Sequence, residues 1–475
     1  MRRNMRWSLT HTQQLKASFN PCNQLTRGSD MNRASYFLIL VALLIGAVIG
    51  YAVGASSGAT STVTRTVTSA PESAGLSGDV YIGALLPLTG PLGSFAENDM
   101  IALRLAEKDV NDWLTQIGSK WRIKILIEDT AVDPKQALDK LQALHSKGVK
   151  IFIGPMASSE VKEVKGYADA NKLLVISQSS TSPALAIPND MIYRFCPPDE
   201  FQGMASAKAT YELGIRNVVI VWRGDTWGDG LVESYEKAFL KLIEQSGEKG
   251  EVWGKSNGKG IRYDPDSKEF SAIASQLANA VQELVNKYGV DKVGVYYAGY
   301  GEYIQFAAAA SQYDILRRVK WIGSDGTALL GDIQTNENAA KFAYETRFIS
   351  LMFGTPSPLQ EKISSEVKRQ LGRLPESYAY VSYDAVWIVA VALEFVDSYD
   401  PVAVAKVIPF IVQKWYGATG VFQLNENGDR AFSDYMFWMV VPSDKGYEWE
   451  LAGSYSYEKN SVTWTEAFVK LLGKS

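Results

Sequence analysis

The sequence predicts an α/β protein built as two lobes, each a doubly wound parallel sheet. Three observations predict it. From Asp79 onward, short apolar runs alternate with amphipathic stretches of ten or more residues, the pattern of parallel strands joined by right-handed helical crossovers. The alternation halts at Pro197-Pro198 and starts again near Val218. About 400 residues is also more than one core usually holds, whereas two lobes fit.

The elements follow in order. Val80–Leu86 is a strand and Ser94–Gln116 a helix, with Ile101, Leu105 and Val110 on one face. Ile123–Ile127 is the next strand. Asp133-Pro134 opens a helix through Leu144, with proline where a helix start tolerates it. Ile151–Ile153 and Leu173–Ile176 are strands around a helix at Ser158–Asn171. Phe195-Cys196-Pro197-Pro198 forbids helix and favours an extended crossing. The second set comprises strand Val218–Trp222, helices Leu231–Gln245 and Phe270–Tyr288, strand Lys292–Tyr297, helix Ile304–Gln312 and strand Val319–Ile322. Helices Pro358–Leu371 and Tyr378–Phe395 come next. A hairpin-like end follows: Val421–Leu424, a turn at Asn427-Gly428, and Tyr435–Val441. Val386–Phe395 is apolar but too short to span a membrane, so it reads as a core helix. The chain therefore returns to the first lobe and crosses again near Gly417–Gly420. Residues 79–198 with 353–418 form lobe 1, and 199–352 with 419–475 form lobe 2.

Ahead of this lies a different kind of sequence. Tyr36–Val53 is an uncharged apolar run, and residues 56–73 contain ten Ser or Thr. Six of the seven basic residues in 1–78 precede the run, which orients the N-terminus inside and the rest outside. Both a signal segment and a permanent anchor fit the run; its length favours the anchor. The Ser/Thr stretch, residues 54–78 overall, reads as a stalk that buries no core. Residues 1–35 are a cytoplasmic or dispensable segment. The expected location is the cell surface, tethered to the cytoplasmic membrane, or secreted if the segment is cleaved.

Residues 1–78 carry a net charge of +5 and the remainder −9. An acidic globular part argues against nucleic-acid partners, which need a basic face. Only two cysteines, Cys22 and Cys196, and two histidines, His11 and His145, occur. That excludes a disulfide scaffold and a zinc site of imidazole and thiolate; no metal or cofactor is expected.

In open α/β sheets, ligands bind beyond the carboxyl ends of strands. In the first lobe these ends run into Pro87–Phe95, Gly154–Ser159 and Ser177–Pro183, rich in hydroxyls and free of charge. In the second they run into Arg223–Gly228, Ala298–Glu302 and Gly323–Thr327, with aromatic faces and a carboxylate. Ser158 and Ser159 open a helix, where unpaired N–H groups and the dipole favour an anion. Thr181 adds a hydroxyl and an N–H. Asp325 is placed to accept an ammonium, and Trp227 and Tyr300 to cover aliphatic surface or a cation. An α-amino acid satisfies both rims. Each residue also has a plain structural reading. Serine at a helix start is commonly a cap, Ser179–Ser182 makes a turn, Trp227 fits as a loop anchor, and a loop aspartate is usually solvated. Cys196 reads as a small buried apolar residue.

These stretches resemble the type I periplasmic binding proteins of ABC importers, leucine/isoleucine/valine-binding branch, from about Asp79 to Val441. The likeness rests on Ile82–Pro91, Asp133–Ala137, Ile153–Ser159, Ile176–Pro183 and Tyr380–Val386. It implies the type I periplasmic binding protein fold, two lobes joined by a three-crossing hinge that close on ligand. It implies that Ser158, Thr181 and the Ser179–Ser180 backbone hold an amino-acid carboxylate, that Asp325 with Tyr300 receives the ammonium, and that Phe95 and Trp227 line the side-chain pocket. Phe95 and Trp227 stand where tyrosine is common, and Asp325 where glutamate is common. The stalk and non-lipid anchor resemble archaeal relatives. ABC permease and ATPase subunits are the implied partners, and the chain has no Gly-x-x-x-x-Gly-Lys-Ser/Thr loop of its own.

An enzyme on the same scaffold is the main rival. The sequence offers no Ser-His-Asp set and no Gly-x-Gly-x-x-Gly after the first strand. A sensory ectodomain, or a binding protein for an amide, urea or an aromatic acid, remains open beside the amino-acid reading.

Overall fold

The computed structural model describes residues 75–354 and 356–473. The stalk up to Ala74, the apolar run Tyr36–Val53 and the N-terminal segment expected above lie outside the described residues. Ser73–Ser475 form one compact unit.

Two sheets organise it. The first has the order β2-β1-β3-β4-β5 and is parallel throughout. It is built from β1 (Gly78–Leu86), α1 (Gly93–Gln116), β2 (Trp121–Asp129), α2 (Pro134–Ser146), β3 (Ile151–Ile153), α3 (Ser158–Asn171), β4 (Leu174–Ser177) and β5 (Ile192–Arg194). The inner strands β3 and β4 are fully buried, near-continuous apolar runs because helices cover both faces, whereas the edge strand β2 carries Arg122, Lys124, Glu128 and Asp129. Asp133 caps α2 through the Gln136 N–H, with Pro134 at the first helical position.

The second sheet runs β14-β13-β12-β11-β10-β9-β6-β7, with β8 also on β6. Its chain order is α4 (Asp199–Glu212), β6 (Asn217–Arg223), α5 (Thr226–Ser246), β7 (Glu251–Trp253), β8 (Ile261–Tyr263), α6 (Ser271–Tyr288) and β9 (Val293–Ala298). Then come α7 (Tyr303–Ala310), α8 (Asp314–Arg318), β10 (Lys320–Ile322), α9 (Gly331–Thr335), α10 (Glu337–Glu345) and β11 (Ile349–Phe353). The chain next returns to the first sheet as α11 (Pro358–Leu371), α12 (Ser377–Val396) and α13 (Pro401–Val412), and comes back as β12 (Tyr435–Ser443), β13 (Gly446–Ser456), β14 (Ser461–Trp464) and α14 (Glu466–Leu471). It thus passes between the sheets after β5, after β11 and after α13. Strands β12 to β14 are antiparallel and extend an otherwise parallel sheet.

Helix α12 is the described helix long and apolar enough to cross a membrane by composition, but 67% of its apolar window is buried, mainly on α1 and α13. It is a core helix, as its neighbours require.

The predicted hairpin needs correction. The turn exists: Leu424 bridges Arg430 around Gly428, whose φ of +74° suits glycine. Its second arm does not pair with the first, however; Tyr435–Ser443 pairs with β11 and β13. The helix expected from Leu231 begins earlier, at Thr226, because Asp225 accepts from the Trp227 and Gly228 N–H groups. The α4 helix went unpredicted: its Ala, Ser and Gly residues are buried without a clear apolar stripe, and the proline pair masked its start.

Candidate functional site

The hydroxyl-rich first rim is a stitched unit. Ser177 Oγ donates to the Pro155 carbonyl at 2.7 Å, and Ser179 Oγ to that of Met156 at 2.8 Å. Ser158 Oγ accepts from Ser180 Oγ at 3.0 Å and from the Ser182 N–H at 3.3 Å. A hydroxyl has two lone pairs and one proton, so Ser158 keeps its proton for another acceptor. Among the described residues, the N–H groups of Ser158, Ser159 and Thr181 meet no hydrogen-bond acceptor. The first two sit at the positive end of α3. Inside that first turn Glu160 accepts from the Ala157 N–H at 2.9 Å, and burial pushes its carboxyl up to about 7.

Arg194 holds this rim from behind. Its guanidinium donates to the carbonyls of Ser182 at 2.6 Å and Ser180 at 3.3 Å, and it grips Asp429 through two bonds of 2.6 and 2.5 Å. Both partners are fully buried. The pair ties the rim to the last crossing between the sheets. Cys196 is buried beside it, its Sγ on the Ser180 carbonyl.

On the second rim, Asp225 caps α5 through Trp227 and Gly228 and accepts from Arg223 Nε at 2.6 Å. The Arg223 guanidinium lies 4.8 Å from the Tyr300 ring, and Tyr300 stacks on Trp227 with centroids 4.5 Å apart. One buried network therefore sets both aromatic faces.

Asp325 is the electrostatic centre. It is 3% exposed. Its Oδ1 accepts from the Gly326 N–H at 3.0 Å and its Oδ2 from the Tyr378 hydroxyl at 2.5 Å. Its own N–H donates to Gln202 Oε1, and Gln202 Nε2 donates to the buried Asp199. Burial pushes Asp325 up to about 6, with the Tyr378 and Gln202 hydrogen bonds pulling the other way. Burial, then the Asp325 charge, also raises Asp199 well above the usual carboxylate range. Among the described residues, no Lys or Arg forms an ion pair with either carboxyl.

Six of the nine predicted site residues line one small cavity: Phe95, Ser158, Ser179, Trp227, Tyr300 and Asp325. The other three stand around it. Ser180 braces Ser158, Ser159 is half-buried in the first turn of α3, and Thr181 turns its hydroxyl away. Thr181 Oγ1 lacks hydrogen-bond geometry to any partner but lies close enough to Asp199 to favour its ionised form. Leu92, Met156, Gly326 and Tyr378 complete the lining and were not predicted. Met156 lay inside a stretch singled out for its serines. Tyr378 had only its place at the head of an apolar helix after Pro375 as a signal.

The cavity is shut. Its free volume is about 20 Å³, room for roughly one water molecule. Among the described residues, three bonds cross the cleft: Ser182 Oγ to the Thr226 carbonyl at 2.8 Å, the Gly301 N–H to the Pro91 carbonyl at 3.0 Å, and Tyr378 to Asp325. A solute reaches Asp325 only when the two sheets part and the Tyr378 hydroxyl yields. Larger depressions of about 980 and 680 Å³ flank the cleft, but they are open grooves lined by charged side chains such as Lys237, Glu233, Lys268 and Asp332.

Residues 98–443 match the family described as the receptor family ligand binding region. An uncharacterized protein of Methanocaldococcus jannaschii is 32% identical over 411 residues, covering 81% of this chain and 91% of that protein. The Leu/Ile/Val-binding protein homolog 1 of Brucella abortus is 27% identical over 391 residues, covering 80% and 93%. Among solved structures, the leucine-binding protein LivK of Thermotoga maritima superposes with a TM-score of 0.64 at 21% identity, covering 80% of this chain and 99% of that one.

Proposed function

The chain belongs to the receptor family ligand binding region and has the type I periplasmic binding protein fold; from that premise, as a type I solute-binding protein rather than an enzyme, we propose that it captures an α-amino acid outside the cell and hands it to an ABC permease. The carrying observation is a charge imbalance across the cleft. Among the described residues, one wall buries Asp325 and Asp199 with neither in an ion pair, and the other presents the unpaired N–H groups of Ser158, Ser159 and Thr181. An ammonium balances the first and a carboxylate the second. The stacked Trp227–Tyr300 pair and Phe95 then cover the side chain between them.

Capture proceeds by closure. The solute meets the hydroxyl rim, and the acidic rim swings over it as its ammonium displaces the Tyr378 hydroxyl from Asp325. The solute favours the closed form only by its greater affinity for that form. The segment Tyr36–Val53 tethers the domain to the outer face of the cytoplasmic membrane. A permease reads the closed shape and partner ATPase subunits supply the energy.

A thermal-shift screen of amino acids, amides and organic acids tests this. A ligand that binds only the folded state adds about 2.7 kcal/mol at a hundred times its Kd. Zwitterionic α-amino acids raise Tm, and their amides and deaminated acids do not. A screen in which an amide or an aromatic acid raises Tm while every amino acid is silent overturns the reading.

A further inference from the structure

Behind the cavity wall, on the first-sheet side, five side chains form a cluster that solute capture does not use. Asn98 and Asp99 come from α1, Gln178 from the rim after β4, and Glu376 and Ser382 from the cap and first turns of α12. All five are 0% exposed. Asn98 Nδ2 donates to Glu376 Oε2 at 2.5 Å, and Gln178 Nε2 donates to Asp99 Oδ2 at 2.8 Å. The remaining polar atoms are all oxygens without a hydrogen-bond partner: Asn98 Oδ1, Asp99 Oδ1, Gln178 Oε1, Glu376 Oε1 and Ser382 Oγ. Ser382 approaches Asp99 without reaching hydrogen-bond geometry.

Two carboxyls and two carboxamides thus leave four oxygens unpartnered, and the one hydroxyl proton of the cluster, on Ser382, reaches none of them in hydrogen-bond geometry. Buried acceptors left in this state are costly. One proton on each carboxyl turns two acceptors into donors, and two amide oxygens remain to receive them. The four oxygens then divide into two donors and two acceptors.

We propose that Asp99 and Glu376 form an internal proton site, both carboxyls protonated in the working protein, that ties together the three segments bearing Phe95, Ser179 and Tyr378. The surrounding charges agree. Arg373 is the cation that acts on Glu376; its Nη2 donates to Glu97 and the Ser94 carbonyl, and its Nε, buried without a partner, makes no hydrogen bond to Glu376. Of the other titratable neighbours, the Tyr380 phenol is held protonated, chiefly by burial, and brings no charge, and Tyr378 is already given to Asp325. Burial pushes Asp99 up to about 7, and burial with the Asp99 charge pushes Glu376 up to about 8. The site stands on this cluster alone and holds whatever solute is captured.

Carboxyls raised in the folded state stabilise it fully below their unfolded values, and that stability is lost as pH rises through the folded values. The ligand-free protein is melted from pH 6 to 9, in sodium and in choline chloride. Tm falls over that range by on the order of 5 °C more in the wild type than in the Asp99→Asn, Glu376→Gln double variant, an isostere of the protonated cluster that keeps the other raised carboxyls, Glu160, Asp199 and Asp325 among them. Infrared difference spectra at pH 6 against pH 9 show the loss of a protonated-carboxyl C=O band that is stronger in wild type than in the single Asp99→Asn or Glu376→Gln variant. Either single variant serves that measurement, so the proposal stays testable if the double variant does not fold. A wild-type Tm profile parallel to the double variant's, a band unchanged in the single variants, or a Tm at pH 9 restored by sodium but not by choline overturns the proposal; the last result would put a metal cation where we put protons.

Discussion

Replacing Asp325 by asparagine puts the proposed ammonium site to its sharpest test. The substitution keeps the shape and the acceptor for the Gly326 N–H, and removes only the charge. The carboxyl is 3% exposed and has no Lys or Arg partner among the described residues, so an incoming ammonium would find its principal countercharge there. Breaking a buried pair on one side costs about 3–5 kcal/mol. Asp199, close enough for the Asp325 charge to raise it, stays in place and softens the loss. The low end applies, about 3 kcal/mol, or roughly 150-fold in Kd. Titration calorimetry at pH 7.5 with the best amino acid from the thermal screen measures it. The unliganded variant keeps or raises its Tm, because burial already opposes the charge that is removed. A Kd within threefold of wild type would refute the ammonium role.

Further outcomes follow from the same geometry. Tyr378→Phe removes the hydroxyl that competes with the ammonium for Asp325; small-angle scattering finds the unliganded protein more open, and calorimetry finds affinity undiminished. Ser158→Ala weakens carboxylate ligands by at least tenfold, about 1.4 kcal/mol, and weakens amides less; equal losses on both classes would count against an anion wall. Affinity also depends on pH. Asp325 sits at about 6 in the closed, empty site because burial raises it, and an ammonium pairs only with its ionised form. Binding is therefore constant above that value and falls by up to about tenfold per pH unit below it. Calorimetry between pH 4.5 and 8 measures the profile, and a pH-independent affinity contradicts it.

The alternation of strands and helices was readable because parallel strands covered on both faces are continuous apolar runs, as at Ile151–Ile153 and Asn217–Arg223. The rim residues were readable for a related reason: a parallel strand's end fixes where the next loop points, so Ser158, Trp227 and Asp325 could be assigned to one cleft before any contact was known. What escaped depends on contacts distant in sequence. Arg194 reaches Asp429 across 235 residues and Asn98 reaches Glu376 across 278. No local pattern marks such partners. Tyr378 looked like one more apolar position in α12, and only the closed cleft shows its hydroxyl on Asp325. The β12–β13 hairpin was missed because the Asn427-Gly428 turn nearby gave a stronger local signal than the Ser443–Gly446 connection that the sheet uses.

A crystal structure with the strongest ligand of the thermal screen tests the central claim most directly. The account predicts one small dipolar molecule clamped between the halves, its carboxylate on the N–H groups of Ser158, Ser159 and Thr181 and its ammonium on Asp325 in place of the Tyr378 hydroxyl. A ligand seated in a flanking groove, or in the cleft with Asp325 still bonded to Tyr378 and no cation beside it, would contradict that claim.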